Sequence, residues 1–87
     1  MYKIEIIPIA EKKIKKRGID RELIENTIIN PDQLVSGYGG RKVAQKKLLI
    51  NKKEYLLRVV FEKKDRIFIV ITAYLTSQIG RYWKEDR

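Results

Sequence analysis

After Gly40 the spacing of apolar residues changes from the helical period to strict alternation, and this change constrains the fold more than any other feature. Residues 41–50, 53–62 and 66–75 alternate as β-strands do, with only short connections between them. Short connections favour hairpins, so these residues predict three strands that pair in sequence order. The connection after residue 50 contains no Asn-Gly pair, and its turn type is left undetermined by the sequence.

The first 40 residues predict a different set of elements. They comprise a strand, two helices and a glycine-rich loop, at residues 2–7, 10–17, 21–29 and 36–40. Gly18 is placed to end the first helix, because glycine readily adopts the backbone conformation that closes a helix. Asp20 is placed to cap the second helix, since a short acidic side chain can accept hydrogen bonds from its first amides.

These elements predict an α+β protein with the order β-α-α-β-β-β and a tail from Thr76. A chain of 87 residues forms a single domain, here residues 1–87. The two helices are expected to pack on one face of a small, mostly antiparallel sheet. Four apolar residues at alternating positions are predicted to form the sheet's core against the helices: Leu57, Val59, Ile69 and Ile71.

The sequence contains no Cys and no His. Disulfides, thiolate nucleophiles, zinc fingers and Ser-His-Asp triads are therefore excluded. A cluster of carboxylates is the one metal site that these residue types allow, and we expect no metal or other cofactor. No apolar run reaches the ~18–20 residues that span a membrane, and the N-terminus lacks a signal-peptide layout. We expect a cytoplasmic protein with no membrane partner.

The net charge of +9 is concentrated in the C-terminal half. Residues 41–87 hold 13 basic and 5 acidic residues, whereas residues 1–40 hold 7 basic and 6 acidic. An excess of this size indicates an anionic partner, either RNA or an acidic protein. The alternative is that the lysines only keep the surface soluble.

The second face of the predicted sheet is mixed in character. It places Arg58 near Thr72 and Tyr74, with Lys46 as an expected neighbour on the adjacent strand. A cation beside an aromatic hydroxyl can hold a phosphate and stack a base. The alternative is that Arg58 pairs with Glu62 or Glu54 on a solvated strand.

Five short motifs, each present once, carry a resemblance to a known family through their combination and spacing. They are RGI, ENTIINPDQL, AQKK, LLRVVFE and VITAYLTSQIGRYW, at residues 17–19, 25–34, 44–47, 56–62 and 70–83. Their combination resembles a family of small bacterial and archaeal domains of unknown function. That family in turn resembles RelE/BrnT-like toxins, whose small sheet packs two helices on one face and offers the other to messenger RNA or an antitoxin. Ile9 stands where the family commonly has His, and this apolar replacement is expected to extend the core.

The resemblance implies a toxin of a toxin–antitoxin system that cleaves messenger RNA, free or on the ribosome, without a metal ion. It also implies an acidic antitoxin as a partner. RelE-like toxins use Lys, Arg and Tyr in place of a His pair, which gives four catalytic candidates: Lys46 as base, Arg58 and Arg81 as phosphate clamps, and Tyr74 as acid. Six further residues are assigned to RNA binding: Lys42, Lys47, Thr72, Thr76, Ser77 and Tyr82.

Two alternatives accompany this assignment. Tyr82 is a second candidate for the acid or for a stacking platform, or else Tyr82 and Trp83 cap the core or an edge strand. The protein as a whole is either an endoribonuclease or a non-catalytic module. Such a module binds RNA or an acidic protein through the same basic face.

Overall fold

A computed structural model describes residues 2–85 and shows three helices with a five-stranded mixed sheet. In chain order the elements are β1 (Lys3–Ile6), α1 (Pro8–Lys16), α2 (Arg21–Ile29), β2 (Gln33–Ser36), a 3₁₀ turn (Tyr38–Gly40), β3 (Lys42–Ile50), β4 (Lys53–Lys64), β5 (Ile67–Thr76) and α3 (Ile79–Tyr82). The strand order is β1-β5-β4-β3-β2, with β1 parallel to β5 and the other neighbours antiparallel. The predicted α+β class is confirmed, with one strand and one helix added.

The end of α1 is defined by Gly18, as predicted. Gly18 has a φ of 70°, and its N–H donates to the carbonyl of Lys15 at 3.1 Å. The N–H of Ile19 reaches back to the carbonyl of Ile14, also at 3.1 Å. This pair of bonds satisfies two carbonyls at the helix end, and both isoleucines are buried.

No helix within residues 2–85 has the length and apolar character needed to cross a membrane.

Two expectations about the region around α2 are wrong. Asp20 occupies the N-cap position of α2, but its side chain makes no capping hydrogen bond. The sequence also predicted no strand between α2 and the glycine-rich loop, whereas Gln33–Ser36 form β2, which pairs with β3. The predicted loop at 36–40 overlaps this strand only at Ser36. Only four residues form β2, which is too short a run for alternation alone to indicate a strand.

The turn between β3 and β4 resolves what the sequence left undetermined. Asn51 and Lys52 both have positive φ values, 50° and 66°. Positive φ at both central residues is the mark of a type I′ turn, whose twist matches that of the flanking strands. The long β3–β4 hairpin is therefore closed tightly without glycine.

A β-bulge in β5 overturns part of the predicted core. Val70 pairs with Phe61 and Thr72 pairs with Val60, so Ile71 has no partner on β4. The extra residue inverts the alternation of the preceding part of β5. Ile69 therefore lies on the face opposite the helices, and the expectation that Ile69 and Ile71 form the helix-side core is wrong.

The core lies between α1, α2 and one face of the sheet, which we call the helix face. Its buried residues are Ala10, Ile14, Ile19, Ile24, Ile28, Ala44, Leu57, Val59, Phe61, Val70 and Ala73. Leu57 and Val59 are fully buried there, as predicted. Ile9 has an exposed fraction of 61%, so the expectation that it extends the core is wrong.

Candidate nucleic-acid interface

The opposite face of the sheet, which we call the Arg58 face, carries one polar side chain on each of four neighbouring strands. Gln33 of β2 pairs in register with Gln45 of β3, Gln45 with Arg58 of β4, and Arg58 with Tyr74 of β5. Residues directly opposite on adjacent strands share a face, so the four side chains form a line across the sheet. We call this line the polar row.

Hydrogen bonds join the whole polar row. Arg58 donates from Nε to Gln45 Oε1 at 2.7 Å and from Nη1 to the Tyr74 hydroxyl at 2.5 Å. Gln45 in turn donates from Nε2 to Gln33 Oε1 at 2.9 Å, and its side chain is fully buried. The predicted meeting of Arg58 and Tyr74 is confirmed, and the guanidinium is held in one orientation by two neutral partners.

Arg58 has no carboxylate partner among residues 2–85. The ion pairs described there join Lys3 to Glu5, Arg21 to Glu25, and Arg41 to Glu62. The alternative that Arg58 pairs with Glu62 is therefore wrong, and Glu54 faces Leu49 across the β3–β4 hairpin. A half-buried charge without a counter-ion is costly, so this position favours an anionic ligand.

No group of three or more acidic residues within residues 2–85 could hold a metal ion.

The C-terminal segment crosses the polar row. We call residues 79–84 the strap; they comprise α3 followed by Trp83 and Lys84. Gln33 donates from Nε2 to the Lys84 carbonyl at 2.6 Å, and its Oε1 accepts from the Lys84 N–H at 2.9 Å. Gln45 Nε2 lies 3.4 Å from the Tyr82 carbonyl oxygen as a second donor contact. The amide of Gln33 thus both donates to and accepts from the backbone of Lys84, which is the pattern of hydrogen bonds between paired strands.

The aromatic side chains of the strap cover two cations of the Arg58 face. The Tyr82 ring centroid lies 4.1 Å from Arg58 Cζ, and the Trp83 ring centroid lies 4.1 Å from Lys47 Nζ. Tyr82 also meets Tyr74 edge to face, with 6.4 Å between ring centroids. These distances are typical of cation–π contacts and aromatic pairs. Tyr82 and Trp83 therefore cover the cations of the Arg58 face, not the apolar core.

The expectation that Lys46 lies beside Arg58 is wrong. Lys46 pairs with Leu57 and so lies on the helix face, where its Nζ donates to the carbonyl of Asn30 at 2.8 Å. A Lys side chain there satisfies a carbonyl at the end of α2. Lys42 has the same parity and is also on that side of the sheet. Lys47 is the β3 lysine on the Arg58 face.

The remaining predicted site residues lie around the C-terminal end of β5. Thr72 and Thr76 both pair with residues of the Arg58 face, and Thr76 Oγ1 accepts from the Gln78 N–H at 3.1 Å. Ser77 is exposed in the bend that follows. Arg81 is exposed on α3, where its Nη1 lies 3.4 Å from Gln78 Oε1. The structure thus groups them beside the polar row, where Arg81 Cζ lies 5.6 Å from the centroid of the Tyr82 ring.

Three residues at the site were missed in the sequence. Gln33 and Gln45 are neutral residues within alternating strands, and only the register across β2, β3 and β4 reveals that they meet. Arg17, at the end of α1, donates from Nη1 to the Ala73 carbonyl at 2.9 Å, on the outer edge of β5. All three fall inside motifs that the sequence singled out: Arg17 in RGI, Gln33 in ENTIINPDQL and Gln45 in AQKK. These motifs were the available signal.

Residues 10–75 match the family described as Domain of unknown function (DUF4258). The chain belongs to the DUF4258 family. No curated protein and no solved structure matches the chain. The matched stretch includes all of the polar row, from Gln33 to Tyr74, while the strap follows it.

Proposed function

We propose that this domain binds single-stranded RNA through the Arg58 face. The observation that carries the proposal is the guanidinium of Arg58, oriented by Gln45 and Tyr74 and free of any carboxylate partner within residues 2–85. Those two partners use two of the five N–H donors of an arginine. The remaining donors suit a phosphate, which a planar guanidinium binds through paired hydrogen bonds.

The surroundings of Arg58 favour RNA over an acidic protein. Lys47 adds a second cation on the same face, and Tyr74 supplies an aromatic ring beside Arg58. Single-stranded RNA offers both phosphates for the cations and unstacked bases for the ring. The +8 charge of residues 41–87 supports the same choice of partner. So does the resemblance to RelE/BrnT-like toxins, in which helices cover one sheet face and RNA meets the other.

The substitution Arg58→Lys tests the site at constant net charge. Lysine cannot reproduce the planar fork, so affinity for a labelled oligouridylate of about 12 nucleotides should fall about tenfold or more. The matched control is Arg66→Lys, at an exposed position in the β4–β5 turn, and it should bind like the unmodified chain. Fluorescence anisotropy measures both, and equal affinities of the two variants would contradict the proposed site.

The dependence on salt tests the electrostatic part of the proposal. Each phosphate that the protein neutralises should contribute about −0.7 to the slope of log affinity against log salt. Affinity that stays flat from low to high salt would contradict this part. Equal binding of a poly-glutamate peptide and the oligouridylate would instead favour the acidic-protein alternative.

Cleavage of the bound RNA is a second candidate function, favoured by the bond between Arg58 and Tyr74. The Tyr74 oxygen accepts from Arg58, so its own proton stays available for a leaving oxygen. Attack by the 2′-hydroxyl on phosphorus would break the bond to the 5′ oxygen, leaving a cyclic phosphate and a 5′-hydroxyl. Arg58 would stabilise the charge that develops on the phosphate. In this scheme Lys47, the β3 lysine on the Arg58 face, would take the proton of the 2′-hydroxyl as its neutral amine, because Lys46 lies on the helix face.

Expression in bacteria tests cleavage and the proposed role as a toxin. The unmodified chain should arrest growth and fragment messenger RNA, leaving 5′-hydroxyl ends. Tyr74→Phe should slow cleavage by about 10²–10³. RNA affinity should fall far less, because Gln45 still holds Arg58 after the Tyr74 hydroxyl is lost. Tyr55→Phe is the control, since Tyr55 lies on the helix face, in register with Leu48. Harmless expression with intact RNA, free and on ribosomes, would contradict cleavage and leave RNA binding as the function.

A further inference from the structure

We propose that the strap is a displaceable lid, and that RNA reaches Arg58 only after the strap leaves the sheet. This inference rests on the proposed RNA-binding function. The Tyr82 ring lies over the guanidinium of Arg58 at 4.1 Å, where a base would otherwise stack. Trp83 covers Lys47 in the same way. The strap therefore occupies the two cations that RNA would use.

The strap is attached differently from the other helices. None of its residues is buried, whereas α1 and α2 each insert buried side chains into the core. Its direct hydrogen bonds to the polar row come from Gln33 and Gln45 and go to backbone atoms of Tyr82 and Lys84. When such a bond breaks, water takes the place of the lost partner, so the net loss of free energy is small. Exposing a buried apolar side chain to water costs more. The strap can thus detach without unfolding the core.

The site would remain formed after the strap leaves. Both residues that orient Arg58, Gln45 and Tyr74, belong to the sheet. Gln33 and Gln45 also keep their bond to each other. Ser77 and Gln78, which connect β5 to the strap, are exposed, so a change in their conformation would disturb no buried side chain. Because only the open form binds RNA, the apparent affinity is reduced by the fraction of molecules that are closed.

The variant Gln33→Ala tests the lid, because it removes both bonds to Lys84. It also removes the acceptor of Gln45 Nε2, but the bond from Arg58 to Gln45 Oε1 stays. We expect it to bind the oligouridylate about 5- to 10-fold more tightly than the unmodified chain. Gln78→Ala is the matched control: the same side chain is removed at a position that contacts Arg81 instead of the polar row. Its affinity should be unchanged.

Trp83 reports the state of the strap, since it is the one tryptophan of the sequence. Acrylamide should quench its fluorescence more strongly in free Gln33→Ala than in the free unmodified chain. Adding oligouridylate to the unmodified chain should raise quenching toward the same level. Thermal unfolding of each variant shows that the domain remains folded.

The outcomes separate the lid from the function it rests on. If Gln33→Ala binds RNA more weakly, or if Trp83 stays protected when RNA binds, the strap belongs to the site and the lid proposal is wrong. Unchanged quenching in free Gln33→Ala would also overturn it. If quenching rises in Gln33→Ala but neither protein binds RNA, the RNA-binding function fails instead.

Discussion

The two faces of the sheet are covered in opposite ways. On the helix face, α1 and α2 each contain nine residues and bury isoleucines against Leu57 and Val59. On the Arg58 face, the cover is the strap, which contains a four-residue helix and rests on hydrogen bonds and aromatic–cation contacts. The helix face has a cover built from apolar burial, and the Arg58 face has one built from polar contacts.

The difference between the two covers assigns folding stability mainly to the helix face and leaves the Arg58 face available for ligand binding. Apolar burial contributes most of the free energy of folding and cannot be given up locally. Polar contacts at a water-accessible surface contribute little net free energy and can be exchanged for those of a ligand. A domain of this size can thus keep one face permanently packed while the other face exchanges its cover.

The adjacent residues Val59 and Val60 test the contrast most directly, because they point to opposite faces of β4. Val59→Ala on the helix face should lower the free energy of unfolding by about 2–3 kcal/mol, since it leaves a cavity in a fully buried site. Val60→Ala, at a half-buried position, should lower it by about 1 kcal/mol or less. Urea titration measures both, and equal losses would mean that the two faces contribute equally to the core.

Arg58 on the sheet and Arg81 on the strap should differ in their effect on stability. Arg58→Ala should lower the free energy of unfolding by about 1–3 kcal/mol, because buried Gln45 loses the donor to its Oε1. Arg81→Ala, at an exposed position, should change it by about 0.5 kcal/mol or less. Thermal unfolding distinguishes the two. A stable Arg58→Ala protein would show that the polar row contributes nothing to folding.

Gln45→Glu should weaken RNA binding without disturbing the helix face. The new carboxylate would lie beside Arg58 and compensate its charge, so affinity for the oligouridylate should fall about tenfold. Gln78→Glu places the same charge on the connection to the strap, away from Arg58's partners, and should have a smaller effect. Anisotropy titrations compare them, and equal losses would indicate that net charge alone governs binding.

Gly18→Ala tests the helix face alone. Its φ of 70° disfavours any residue with a Cβ, although open space surrounds the position that a Cβ would occupy. The expected loss is about 1 kcal/mol of unfolding free energy, with RNA affinity unchanged. A change in RNA affinity would show that the end of α1, including Arg17, is coupled to the Arg58 face.

Lys46 and Lys47 show which part of the site could not be predicted from the sequence. The sequence indicated a basic strand beside Arg58, and the strand is there. Which lysine shares the face of Arg58 depends on register, and shifting the register by one residue exchanges the two. The same applies to Ile69, because no local signal marks the unpaired Ile71 as a bulge.

By itself, the sequence determined the elements whose signals are local: α2 over 21–29, the end of α1 at Gly18, and three long strands after Gly40. Periodicity and glycine act within a few residues, so they can be read without the fold. Only the tertiary structure decided that Gln33, Gln45, Arg58 and Tyr74 form one row and that the strap closes over it. Gln33 and Lys84 are 51 residues apart, and contacts at that separation arise from strand pairing and chain return, which no local pattern encodes.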